Sequence, residues 1–144
     1  MSSLDIQQLV DEHRARIESL VGGADVRLSG STLLGGFGGH DVDLVVLVAD
    51  VRDAAGQLRR SYPPLYEEEW RPDWAAFREV GPPQVDIVVT SPGSTGDAHH
   101  RRAWELLLAD PELRREYERA QAAGMTAEQK RAFFERVVSL LPNA

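Results

Sequence analysis

Residues 28–44, LSGSTLLGGFGGHDVDL, decide how the rest of the chain is interpreted. This stretch ends one apolar strand, continues through a glycine-rich loop, and begins the next strand with two aspartates, Asp41 and Asp43. Side chains two positions apart lie on the same side of a strand, so these carboxylates repel each other unless a positive charge lies between them. The stretch therefore indicates a cation site, for which a divalent metal ion is the obvious candidate.

Strands and helices can be assigned outward from this stretch. Apolar residues recur every three or four positions over residues 4–21, which predicts an amphipathic helix that ends at a glycine pair. Residues 25–29 alternate, and residues 42–48 form a nearly continuous β-branched run, so both segments are predicted strands. Ser31 is the expected cap of a short helix between them.

The middle of the chain supplies the remaining strands. Residues 51–60 can form a helix that ends before a proline pair, because the residue preceding a proline avoids helical geometry. Residues 65–70 and 74–80 are predicted strands on either side of a turn, and residues 85–90, VDIVVT, are predicted to form another. We therefore expect a mixed sheet of about four to five strands.

Helices are predicted after the sheet. The first covers about residues 95–108, and the second begins with Asp110 as its N-cap and Pro111 as its first residue. Thr126, followed three residues later by Gln129, is the capping-box pattern that begins a third helix. The expected fold class is α+β, with helices packed on the sheet and further helices at the C-terminal end.

Length and composition are those of one ordinary domain. With 144 residues, 42% of them apolar, we expect a single domain with an N-terminal helix (1–22), a sheet core (24–91) and C-terminal helices (95–144). A net charge of -7 argues against general nucleic-acid binding. The chain has no cysteine and no apolar run of about 20 residues, so we expect a cytoplasmic protein without a thiolate metal site or a membrane span.

The aspartate stretch resembles the signature of the nucleotidyltransferase superfamily, the polymerase-beta-like enzymes. Gly30 and Ser31 are followed by the motif DVDL, which contains Asp41 and Asp43, and Asp86 within VDIVV supplies a third acid. The resemblance implies a nucleotidyltransferase fold in which Asp41 and Asp43 bind two Mg²⁺ (or Mn²⁺) ions and Asp86 completes one of the sites. Gly30 and Ser31 would then bind the triphosphate, since a glycine turn that opens a helix attracts anions.

Physical chemistry agrees with a magnesium site. Mg²⁺ takes oxygen ligands and is usually held by a few carboxylates together with substrate phosphates, which suits three aspartates better than zinc does. Two such ions would hold the attacking and leaving oxygens of a nucleotidyl displacement. Asp86 lies among apolar residues, and a buried carboxylate must be paired, bound to metal or protonated. Taken alone, the Gly30-Ser31 pair is ordinarily a simple turn, and the two aspartates of DVD are ordinarily a solvated pair at the end of a loop.

Basic residues on the first C-terminal helix could contact a phosphate. The run HHRR at 99–102 lies in the first turns of this helix, and helical spacing lets one or two of the four side chains face the acids. His99 and Arg102, three residues apart, are the favoured phosphate ligands. The alternative is that the run is a set of solvated charges on a helix surface. His40, at the end of the glycine-rich loop, could touch phosphate or cover the loop.

The C-terminal part resembles the GrpB-like branch of the superfamily. The run AHHRRAWELLLADPELRREYERAQ (98–121) places an Asp-Pro-Glu break before an arginine- and glutamate-rich helix, and GSTLLGG is similar to that branch's Gly-Ser-Thr start. The chain departs from the branch in its loop GGFGGH, where GrpB-like chains usually have a proline-glycine and a lysine-proline. They also usually have one aspartate in the following strand. The resemblance covers about residues 26–121.

These features favour a metal-dependent nucleotidyltransferase that transfers a nucleoside monophosphate from a nucleoside triphosphate to an unidentified acceptor. One alternative is a catalytically silent module of the same fold that binds a nucleotide or a partner, although the presence of all three aspartates favours chemistry. Another is a small antitoxin or antibiotic-modifying nucleotidyltransferase. Leu33 stands where minimal antitoxins usually have an arginine, and drug-modifying enzymes usually have a larger acceptor domain.

Overall fold

The sheet is built from the first two thirds of the chain, and helices follow it. The computed structural model describes residues 3–35 and 41–142. Its strands are β1 (Asp25–Ser29), β2 (Val42–Leu47), β3 (Trp74–Glu79) and β4 (Val85–Thr90). Its helices are α1 (Ser3–Leu20), α2 (Gly30–Leu33), α3 (Val51–Leu58), α4 (Thr95–Asp97), α5 (Ala103–Ala109), α6 (Pro111–Ala122) and α7 (Ala127–Ser139), with a 3₁₀ turn at Glu67–Glu69 and a π-helical turn at Ala98–Arg102.

The four strands form one mixed sheet in the order β1-β2-β4-β3. Strands β2 and β4 are parallel to each other at the centre, whereas β1 pairs antiparallel with β2 and β3 pairs antiparallel with β4. The expected α+β class, with a mixed sheet and C-terminal helices, is therefore confirmed. The two central strands are the β-branched runs of the sequence, as expected for strands that are covered on both faces.

The predicted strand at 65–70 is wrong, because Glu67–Glu69 form a 3₁₀ turn there. The indole N–H of Trp70 donates a hydrogen bond back to the Leu65 carbonyl at 2.9 Å. The same indole packs against Phe77 of β3, with 5.2 Å between ring centroids. Leu65 still donates a backbone hydrogen bond to Ala76 of β3 at 2.9 Å, and the segment then folds into a turn instead of continuing as a strand.

The predicted caps of the last two helices are confirmed. The Asp110 carboxylate accepts hydrogen bonds from the backbone N–H groups of Glu112 and Leu113 at the start of α6. The Thr126 hydroxyl and the Gln129 side chain form the reciprocal capping box of α7. Each cap satisfies N–H groups that a helix start leaves without an intrahelical partner.

Alternation along the central strands sends their side chains to two different environments. Leu44 and Val46 of β2 belong to the main core, which α1 and α3 cover. Asp43 and Val45 point the other way, into a cavity between the sheet and the C-terminal helices. Those helices form a second, aromatic core, in which Trp104 is prominent. None of the described helices is long and apolar enough to cross a membrane.

A buried ion pair fixes the turn that leads into α5. Asp97 is fully buried, and its carboxylate accepts a hydrogen bond from the Gly93 backbone N–H at 2.9 Å. The Arg101 guanidinium donates to both carboxylate oxygens of Asp97, at 2.5 and 2.8 Å. This pair spans the π-helical turn and so fixes the backbone that carries the predicted histidines.

We expect Asp97→Ala to lower the free energy of unfolding by about 3 kcal/mol, because it leaves the Arg101 charge without its buried partner. Urea denaturation monitored by circular dichroism measures the loss. The matched control is Glu105→Gln, which removes another Arg101 partner that is 37% exposed and should cost less than about 1 kcal/mol. Equal losses in the two variants would contradict the assignment of the buried pair.

Candidate active site

Two of the three predicted acids lie side by side on the central strands. Asp43 of β2 and Asp86 of β4 are register partners in the parallel pair. Neighbouring strands are about 4.8 Å apart, so the two side chains leave the same face of the sheet at close range. Both line one cavity of about 290 Å³ beneath the C-terminal helices. The fold therefore places two negative charges in a confined space.

Asp43 is the less compensated of the two acids. Within residues 3–35 and 41–142 it has no hydrogen-bond or ion-pair partner. Burial raises the pKa of its carboxyl to about 6, and the charges of Asp86 and Asp41 add to this shift. Lys130 and Arg78 act in the opposite direction without cancelling it. Such a carboxylate favours either a proton or a bound cation.

Gly30 allows the backbone to approach Asp43 closely. It has a φ of 66°, a left-handed value that favours glycine. A β-carbon at this position would lie 2.2 Å from Oδ2 of Asp43, which is too close for any real contact. The predicted glycine turn is therefore next to the predicted acid, and a side chain at position 30 would displace the carboxylate.

Asp86 is neutralised by an arginine that the sequence analysis did not identify. Arg78 of β3 is its register partner, and its Nε and Nη2 lie 2.7 and 3.1 Å from Oδ1 and Oδ2 of Asp86. The Gln84 side-chain amide also donates to this carboxylate, at 3.3 and 3.5 Å. A two-pronged contact of this kind is the strong geometry for an arginine and a carboxylate.

Asp41 directly precedes β2 and is exposed. Its charge raises the pKa of Asp43, but Asp41 is not among the residues that line the cavity. His40 lies outside the described residues. The predicted roles of these two residues in binding metal and phosphate stay predictions.

The histidine run contributes residues to the cavity, but in a different pattern from the expected one. His99 and His100 both line the cavity, while Arg102 donates to the Pro142 carbonyl at 2.7 Å and is not part of the lining. The reason is the π-helical turn at Ala98–Arg102, in which hydrogen bonds span five residues. A residue three positions after His99 therefore does not return to the same side. Phosphate binding by Arg102 stays a prediction.

His100 is a wall of the cavity rather than a charged ligand. Burial lowers its pKa to about 4, and the nearby charges of His99 and Arg71 act in the same direction. The Trp74 indole N–H points to Nε2 of His100 at 3.4 Å. The backbone carbonyl of His100 accepts a hydrogen bond from the Ser29 hydroxyl. His100 is therefore neutral near pH 7, and its backbone joins the helical turn to β1.

Lys130 of α7 lines the cavity opposite the acids and was missed in the sequence. It is the single lysine of the chain, among 16 basic residues. Its ammonium nitrogen lies 5.8 Å from the centre of the Trp104 ring, which also lines the cavity. In the sequence Lys130 looks like one of the polar surface residues of its helix. Only the fact that it is the single lysine could have indicated a role in the site. The cavity thus has an exposed cation at its mouth and carboxylates on the strands that form its floor.

Ser31 faces a neighbouring groove. The expectation that it caps α2 is wrong, because the helix begins one residue earlier, at Gly30, with Ser29 as its N-cap. Ser31 is exposed and lines this groove with Leu34 and Arg114, rather than the cavity that contains Asp43. Phosphate binding by Ser31 stays a prediction.

The acids have the right chemistry for Mg²⁺ or Mn²⁺, but they are not equally free to bind it. Across the described ranges, no group of three or more His, Asp or Glu side chains is arranged to hold a metal ion. Among the described residues Asp43 makes no hydrogen bond or ion pair, so its oxygens are available to such an ion, and Asp41 is two positions away in the chain. Asp86 has both oxygens engaged by Arg78. The donor set therefore fits an ion centred on Asp43 and completed by substrate oxygens.

Comparison with known proteins finds similar chains among solved structures. No family model matches the sequence, and no curated protein matches it. Among solved structures, 14 chains match, including one from the structure of a cytoplasmic RNA terminal U-transferase. That likeness has a TM-score of 0.45 and 18% sequence identity, and it covers 62% of this chain and 29% of the other. A likeness of this size carries no information about activity.

We expect Asp43→Asn to raise the free energy of unfolding by about 2 kcal/mol at pH 7.5 in the absence of divalent cations. The folded-state pKa of Asp43, about 6, is above its ordinary value, so ionisation of this group destabilises the folded protein as pH rises through about 4 to 6. The gain in the variant should therefore shrink towards pH 4. Urea titrations with a chelator present, at pH 4.5 and 7.5, measure it.

The control for this titration is Asp53→Asn, which removes an exposed acid of α3 that is remote from the cavity. We expect this change to have little effect at either pH. A stability difference for Asp43→Asn that is absent, or the same at both pH values, would contradict the proposed crowding of carboxylates.

Proposed function

We propose that the protein is a metal-dependent nucleotidyltransferase. It would transfer a nucleoside monophosphate from a nucleoside triphosphate to an acceptor hydroxyl or amine and release pyrophosphate. The observation that carries this proposal is the pairing of Asp43 with Asp86 on parallel strands, in one cavity bordered by Gly30. The sequence resemblance to nucleotidyltransferases places the same residues in one site, and the cavity geometry is consistent with it.

In this proposal the acids and the cation bind the triphosphate together. Asp41 and Asp43 would hold Mg²⁺ or Mn²⁺, with Asp86 as the third acid of the site. The cation would neutralise phosphate charge and polarise the phosphoryl group that is transferred. Lys130 would contact phosphate oxygens at the mouth of the cavity, where its long side chain can reach them.

The acceptor would enter beside Asp86. The acceptor hydroxyl or amine would attack the α-phosphorus, the bond to the departing pyrophosphate would break, and the acceptor proton would pass to water, while Asp86 would accept a hydrogen bond that orients the acceptor. Arg78 fixes the position of that carboxylate. The neutral ring of His100 and the indole of Trp104 form apolar walls, which suit a base or sugar better than a phosphate.

A second candidate function is a nucleotide-binding or partner-binding module without catalysis. The ion pair between Arg78 and Asp86 favours this possibility, since it removes one acid from the free ligand set. Membership of the GrpB-like branch, or of the antitoxin or antibiotic-modifying enzymes, depends on sequence motifs alone. Each of these alternatives keeps the same cavity and differs in what the bound nucleotide undergoes.

Isothermal titration with each of the four nucleoside triphosphates tests the proposal. We expect binding that requires Mg²⁺ and is lost in Asp43→Asn, while the Asp53→Asn control binds like the unaltered protein. Pyrophosphate release with a labelled triphosphate then separates an enzyme from a binding module. Retained binding in Asp43→Asn would contradict the assignment of the site.

Lys130 provides a separate test of where the triphosphate lies. We expect Lys130→Met to weaken triphosphate binding about tenfold, since it removes one charge-assisted contact worth roughly 1.4 kcal/mol. Lys130→Arg should retain most of the affinity because it keeps the positive charge. Arg131→Met is the matched control, as Arg131 is the exposed neighbour on α7 and is not in the cavity lining. An equal effect of both methionine variants would contradict a direct contact.

A further inference from the structure

The two neighbouring acids of the cavity are held in different states. Asp86 has each of its oxygens bound by a different nitrogen of Arg78, at 2.7 and 3.1 Å, and receives the Gln84 amide as well. Asp43, its register partner, has no such contact within the described ranges. A cation entering the cavity would therefore find one carboxylate free and the other already neutralised.

The arginine is built into the sheet rather than placed there by a flexible loop. Arg78 and Asp86 are register partners across β3 and β4, so the backbone holds both ends of the ion pair. The pair is partly shielded from water, with side chains 31% and 20% exposed. Displacing Arg78 would break two charge-assisted hydrogen bonds to one carboxylate. We therefore expect Asp86 to keep its arginine when other ligands bind.

The charges around the cavity favour a single bound ion. Arg78 already neutralises Asp86, and Lys130 adds a second positive charge to the lining. Asp43 is the lining carboxylate that remains for a cation. A second ion would compete with Arg78 for Asp86 at close range, and like charges in a site of low polarity repel strongly.

We infer that Arg78 takes the place of a second metal ion, so that the cavity binds one divalent cation, held by Asp43 and Asp41. This inference rests on the proposed function, because the cation is the one that the nucleotidyl transfer would use. It assigns different roles to two acids that the sequence motif treats alike. Asp43 is a metal ligand, and Asp86 with Arg78 is a fixed, neutral pair that borders the acceptor.

The number of bound Mn²⁺ ions per chain tests this inference. Electron paramagnetic resonance measures free Mn²⁺ in titrations of the protein with a non-hydrolysable triphosphate analogue, after subtraction of the Mn²⁺ bound by the analogue alone. We expect one ion for the unaltered protein and two for Arg78→Gln, which frees Asp86. Arg78→Lys keeps the charge and should bind one. Arg27→Gln, a variant on β1 outside the cavity lining with the same change in net charge, should also bind one.

Asp86→Asn gives a second test if Arg78→Gln does not fold. We expect this variant to retain one Mn²⁺ with an affinity within about threefold of the unaltered protein, whereas Asp43→Asn loses it. Two ions in the unaltered protein, one of them lost in Asp86→Asn, would overturn the inference and leave the proposed function standing. No bound ion in the unaltered protein, with or without the analogue, would overturn both.

Discussion

The parallel register between β2 and β4 is the constraint on which the site depends. It places Asp43 directly beside Asp86, and the alternation of side chains sends both to the face that the C-terminal helices cover. A shift of one residue in either strand would turn one carboxylate into the main core, which consists of apolar side chains. The apolar residues that flank each aspartate therefore do more than form the core, because they fix the direction in which the acids point.

Three residues around the acids, Arg78, Gly30 and Lys130, reduce or accommodate the repulsion between them. Arg78 neutralises Asp86 through a rigid contact within the sheet. Gly30 removes a side chain that would displace Asp43, and Lys130 brings a positive charge on a long side chain at the mouth. None of these contacts satisfies Asp43 itself, since its pKa remains raised to about 6, chiefly by burial. The negative charge of the ionised Asp43 carboxylate is therefore not neutralised by its surroundings. A cation-binding site requires such a charge when no cation is bound.

The sequence predicted those parts of the structure that depend on local patterns. Strands 25–29 and 85–90 have their predicted bounds, and β2 ends one residue before its predicted end, because alternation and β-branched runs follow directly from burial. The capping box of α7 and the Asp110-Pro111 start of α6 were equally predictable, since a cap involves residues only two or three apart. The predicted strand at 65–70 was wrong because the indole of Trp70 bonds back to the Leu65 carbonyl and folds the segment into a turn. Such a contact leaves no periodic pattern in the sequence.

The site was predictable in its acids but not in its cations. Asp43 and Asp86 were found through a motif and through the cost of a carboxylate in an apolar strand, and the structure brings them together. Arg78 could be recognised as a partner only after the β3–β4 register was known, and Lys130 only after α7 was packed over the sheet. Arg102 was favoured over His100 because ordinary helical spacing was assumed, whereas the turn is π-helical. Each difference arises from tertiary structure or from an unusual backbone, not from the chemistry of the residues.

The central claim is that Asp43 lies in a cation site which the fold forms in advance. The most direct measurement is an anomalous difference map from a crystal soaked in Mn²⁺ and a triphosphate analogue. The account predicts a peak at about 2–2.5 Å from an Asp43 oxygen, the distance of a direct metal–oxygen bond, with Arg78 still paired to Asp86. A cavity without an anomalous peak near Asp43, in a crystal where the analogue is bound, would contradict it.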